Sequence, residues 1–116
     1  MKTNQKLKEA YLDTHIFYGL QNLNDGYDVP SIKYFSQEDF EVVLNRVQDL
    51  GLGVYGIEPW QDGSYFDVLT WEEFRDRGIK DCMDPRWYRR AFQAFKSTEE
   101  ELQYAASYQI PFSISI

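Results

Sequence analysis

The chain has 116 residues, 43% of them hydrophobic and 17% aromatic, and a formal net charge of −7. That size and composition predict one domain (1–116) with a real core and argue against disorder, while the acidity disfavours general binding to nucleic acid or anionic membrane. One Cys and one His exclude an internal disulfide and any zinc site built from clusters of those ligands.

The first residues, MKTNQKLKEAYLDTH, hold no apolar h-region, and no apolar run reaches the roughly 18 residues of a membrane span. Together with the lone Cys82, this points to the reducing cytoplasm. Leu12, Ile16, Leu20 and Leu23 fit one helical face. HIFYGL also reads as a strand ending near Asn24-Asp25-Gly26, and the helix is the favoured reading.

Residues 37–50 carry a full set of helix signals. Ser36 is a good N-cap, Phe35 and Phe40 are spaced as a hydrophobic staple, and Phe40, Val43, Leu44, Val47 and Leu50 recur on one face. Gly51 follows as a stop. Next come two runs rich in β-branched and aromatic residues, 52–60 and 64–70, around Asp62-Gly63, a dipeptide suited to a tight hairpin turn. A two-residue turn sets Trp60 opposite Tyr65, Pro59 opposite Phe66, Glu58 opposite Asp67 and Ile57 opposite Val68. Thr70 with Glu73, and Leu69 with Phe74, repeat the box-and-staple device ahead of a short helix 71–77, ended by Gly78.

Asp84-Pro85 opens helix 85–96, with Tyr88, Ala91, Phe92 and Phe95 facing inward. A further helix over 98–107 is expected from Glu99, Glu100 and Glu101 in a first turn and Leu102, Ala105 and Ala106 inside. The end, QIPFSISI, alternates as a half-buried strand over 110–116, at an edge because Pro111 cannot donate a ladder hydrogen bond. The architecture this predicts is α+β: a small antiparallel sheet, made of the hairpin and the last strand, packed on helices.

Charge is unevenly spread. Residues 34–73 hold nine acids against Arg46 alone, whereas 74–96 hold seven bases against Asp76, Asp81 and Asp84. Within the acidic part, Glu58 and Asp67 form the sharpest candidate site. Two close carboxylates can divide acid and base roles or hold a hard cation, and Trp60 and Tyr65 beside them can form an aromatic platform. Against this stands an ordinary exposed face, its acids met by Arg46, Arg75 or Arg77, or a bulge near Gln61–Gly63 that parts them.

His15 has no nucleophile motif nearby, and Cys82 reads as an ordinary thiol. Arg86, Arg89 and Arg90 with Trp87 and Tyr88 mix cations and aromatics, but three arginines on one helix read as a solvated face. Gly51, Gly53 and Gly56 do not form a phosphate loop. No cofactor or metal signature is present. The functional expectation is a non-enzymatic binding protein for a partner with a basic surface, a class that includes inhibitor and immunity-type proteins. The alternatives are a small enzyme using Glu58 and Asp67, or a homo-oligomer whose aromatic surface or C-terminal edge strand pairs with its copy.

Overall fold

Local signals and their tertiary outcome agree best in the helices. The computed structural model describes residues 4–26 and 28–110. Helix α1 (Asn4–His15) buries Leu12, with Ile16 fully buried just beyond its end. Helix α2 (Gln37–Asp49) starts where the Ser36 hydroxyl accepts the Asp39 N–H at 3.1 Å, and it buries Phe40, Val43, Leu44 and Val47. Gly51 follows with φ +69°, a conformation that costs a residue with a Cβ about 1 kcal/mol.

Strand β1 (Gly53–Gln61) is the centre of the sheet. Strands β2 (Ser64–Tyr65) and β3 (Leu69–Thr70) pair with one edge of it and β4 (Gln103–Gln109) with the other, all antiparallel. The hairpin tip has the expected register, Trp60 opposite Tyr65 and Gln61 opposite Ser64, and both turn residues have positive φ (Asp62 50°, Gly63 77°).

Lower in the hairpin the expected pairing fails. The Phe66 N–H still donates to the Pro59 carbonyl at 3.1 Å, but Ile57 pairs with Leu69 rather than Val68. Asp67 and Val68 together stand against Glu58 as a bulge, so the facing pairs Glu58–Asp67 and Ile57–Val68 are not formed. Pro59 supplies a reason. A proline inside the central strand has no N–H to return to Phe66, so the ladder weakens at that rung. A slip of one residue swaps the faces. Leu69 accordingly packs against the core while Val68 is 36% exposed.

The helix expected over 98–107 is instead a loop followed by β4. Leu102, Tyr104 and Tyr108 are buried on the side turned to the helices, and Ala105 is buried on the other face. Alanines at 105 and 106 suit a helix by propensity, but seven registered pairs with β1 override that preference. The strand expected over 110–116 lies, apart from Ile110, outside the described residues. Helix α3 (Glu72–Arg75) is shorter than expected. Its box half-forms, with Glu73 accepting the Thr70 N–H at 2.8 Å, and Phe74 is buried. Helix α4 (Pro85–Lys96) matches its expected bounds and is capped by Asp84, which accepts the Arg86 N–H at 2.9 Å.

Helices α2 and α4 cover the sheet face that carries Ile57 and Tyr104. There the Tyr104 ring stacks on Phe40 (5.2 Å, 12°) and meets Phe92 edge-on (5.1 Å, 82°). The opposite face carries Glu58, Trp60, Tyr65 and Ala105, partly covered by the segment that ends at Tyr34. Asn24 ties that segment together, its amide donating to the Val29 and Ile32 carbonyls at 2.9 and 2.8 Å. Among the described residues no helix is long and apolar enough to cross a membrane.

Candidate functional site

The face away from the helices joins three of the four residues singled out from the sequence. Glu58 and Trp60 are two apart on β1 and so share a face. The indole N–H of Trp60 donates to Glu58 Oε1 at 2.7 Å, which fixes both side chains. Tyr65, directly across from Trp60, meets it with ring centroids 6.5 Å apart and planes at 87°. Asp67 is not drawn in. It sits in the bulge, exposed, and its Oδ1 accepts the N–H of Val68 at 2.8 Å.

Glu58 has a different acidic neighbour, one the sequence did not single out. The fully buried Tyr34 places its hydroxyl between Asp28 Oδ2, to which it donates, and Glu58 Oε1 at 3.5 Å. The Tyr34 ring also meets Trp60 at 5.5 Å and 65°. This brings together parts far apart in the chain, so no local spacing announced it. Arg46, Arg75 and Arg77 do not serve as the acids' partners. Arg46 holds the Ile16 and Tyr18 carbonyls, and the other two lie over Trp71 and Phe74.

Next to this face, at the hairpin tip, an open cleft of about 430 Å³ is lined by Leu23, Ser36, Gln37, Glu38, Asp62, Glu99, Glu100, Glu101, Leu102 and Gln103. Five of these are carboxylates and none is a base. The carboxylates come from three separate segments: the start of α2, the hairpin turn and the loop between α4 and β4. Glu100 is tied down, accepting the Gln61 amide at 2.8 Å. Among the described residues, no hydrogen bond or ion pair holds the side chains of Glu38, Asp62, Glu99 or Glu101. The nearest base in sequence, Lys96, is turned to Glu41 at 3.4 Å.

Glu99 adopts φ +61°, which is costly for a residue with a Cβ. The sequence signal for this cleft was the run Glu99–Glu101, read as the start of a helix rather than the mouth of a loop. Gln103 lies opposite Trp60 and also lines the cleft, so aromatic face and cleft form one surface. The carboxylates are spread along it. No group of three His, Cys, Asp or Glu among the described residues is arranged to hold a metal ion.

The remaining candidates fall elsewhere. His15 is exposed and packs on Tyr11 at 4.4 Å. Trp87 and Tyr88 are buried, the Trp87 indole donating to the Val54 and Cys82 carbonyls, so they are not part of a surface with the arginines. Arg86 pairs with Asp84 and holds its carboxyl below the usual range, and Arg89 grips Glu41, Asn45 and Gln48. Cys82 is buried, its Sγ 3.3 Å from Gln109 Oε1. Burial first, and the Asp81 charge second, push the thiol above its ordinary value. Compared with known proteins, the chain matches no family model, no curated protein and no solved structure.

Proposed function

We propose that this chain is a small, non-enzymatic binding protein of the cytoplasm that uses its acidic cleft and the adjoining aromatic face to engage a protein with a basic surface. An inhibitor or immunity-type role is the natural form of such an activity. One observation carries the reading: five carboxylates meet in the cleft without a base, and four of them have no partner within the described residues. Gathered like charges cost stability, and that cost is offset when a cationic partner covers them. A surface of this kind acts mainly by speeding encounter, so its effect fades as salt rises.

The test begins by identifying the protein that co-purifies with the tagged chain from its native host and reconstituting the pair from pure components. A variant with Asp62→Asn, Glu99→Gln and Glu101→Gln is expected to associate at least about tenfold more slowly at low salt, with a shallower salt dependence. Unchanged association, or a partner whose contact surface is acidic, would overturn the proposal.

A further inference from the structure

We infer that the exposed ring of Tyr65, walled by Trp60, receives an arginine side chain of the basic partner. The inference rests on the binding role proposed above and names the contact that gives it chemical selectivity.

Tyr65 and Tyr18 are equally exposed, at 56%. Tyr18 has the Arg46 guanidinium 3.7 Å above its ring centre, and the partly exposed Trp71 has Arg75 over it at 5.6 Å. Tyr65 has no cation over it among the described residues, although its neighbour Trp60 pairs with Gln103 of the acidic cleft. The corner is also held in place. Trp60 is fixed by its hydrogen bond to Glu58, and the two rings meet near a right angle, offering a face and a wall.

Both arginine and lysine are attracted to a negative surface. A planar, weakly hydrated guanidinium can stack on a ring and still fork toward a carboxylate, whereas an ammonium is a compact and strongly hydrated charge. The carboxylates supply attraction to any base, and the Tyr65 ring adds a preference for arginine.

The experiment uses two probes of equal length and charge, nona-arginine and nona-lysine peptides, titrated into the full chain at low salt. Expected is tighter binding of nona-arginine by the wild type, a loss of about fivefold for that peptide alone in Tyr65→Leu, and retention of the preference in Tyr65→Phe. If Tyr65→Leu weakens both peptides equally, or neither, the arginine contact is wrong while the acidic reading stands. If neither peptide binds the wild type, or both bind the Asp62→Asn, Glu99→Gln, Glu101→Gln variant equally well, the acidic reading fails and the inference with it. Thermal unfolding of each variant separates lost binding from lost fold.

Discussion

Two buried tyrosines make unusual demands on the core. Among the described residues the hydroxyls of Tyr88 and Tyr104 are enclosed without a hydrogen-bond partner, and burial, the principal cause, pushes both side chains up to about 12. Unfolded tyrosines lose their protons near pH 10. Between these values the unfolded chain binds fewer protons than the native one, so stability is fully present below pH 10 and falls as pH rises toward 12. Each tyrosine contributes a slope of about 1.4 kcal/mol per pH unit. Chemical unfolding measured from pH 8 to 12 should show the decline. Tyr104→Phe should be at least as stable as the wild type near pH 8, because it removes an orphaned polar group from among Phe40, Phe92 and Phe95, and it should flatten the alkaline slope. A marked loss of stability in Tyr104→Phe at pH 8 would mean that the hydroxyl has a partner.

Among the elements, the sheet divides into a firm and a soft edge. The β1–β4 ladder is continuous except for a shift between Val54 and Gly56, whereas the other edge is two short pairings interrupted at Pro59. Native-state amide exchange should therefore be slow at Glu58, Trp60, Gln103 and Ala105, which pair across the β1–β4 ladder, and faster at Ser64, Tyr65, Asp67 and Val68. Equal protection on both edges would contradict this division. The same contrast explains what was legible in the sequence. Helices α2 and α4 announced themselves through caps and a 3.6-residue period that burial later followed, and Asp62-Gly63 fixed the hairpin tip. Pro59 is visible in the sequence as a ladder breaker, and only a register continued through it sets Asp67 across from Glu58. Strand β4 was missed because Ala105 and Ala106 blurred a period-two pattern and three glutamates imitated a helix start. Asp28 and Tyr34 reach Glu58 only through tertiary packing, which no local spacing encodes.

Seen whole, the molecule sets four carboxylates that have no partner among the described residues together at one pole. Helix α2 begins there, α4 ends there, and the hairpin turn adds Asp62. Mutual repulsion and the strained Glu99 backbone both oppose folding at this pole, so added salt should raise the unfolding temperature. Glu99→Gly, which removes one charge and suits φ +61°, should stabilise the chain by up to about 1 kcal/mol while weakening its hold on a basic protein. Stability and binding would then move in opposite directions on one substitution, the pattern of a surface kept for recognition at some expense to the fold. A Glu99→Gly chain less stable than wild type would argue that the glutamate serves the fold instead.

The sealed sulfur at the opposite pole has a practical corollary. Cys82 lies against Gly53, where even a methyl group would stand 2.7 Å from its sulfur, and burial pushes the thiol above its ordinary value. An alkylating reagent can reach it only when β1, β4 and the loop before α4 come apart. The single cysteine thus works as an internal clock: its modification rate, read by mass spectrometry without any introduced label site, counts the openings of the sheet, and a partner clamped on the far pole should slow the count only if closing one end of β1 steadies the other.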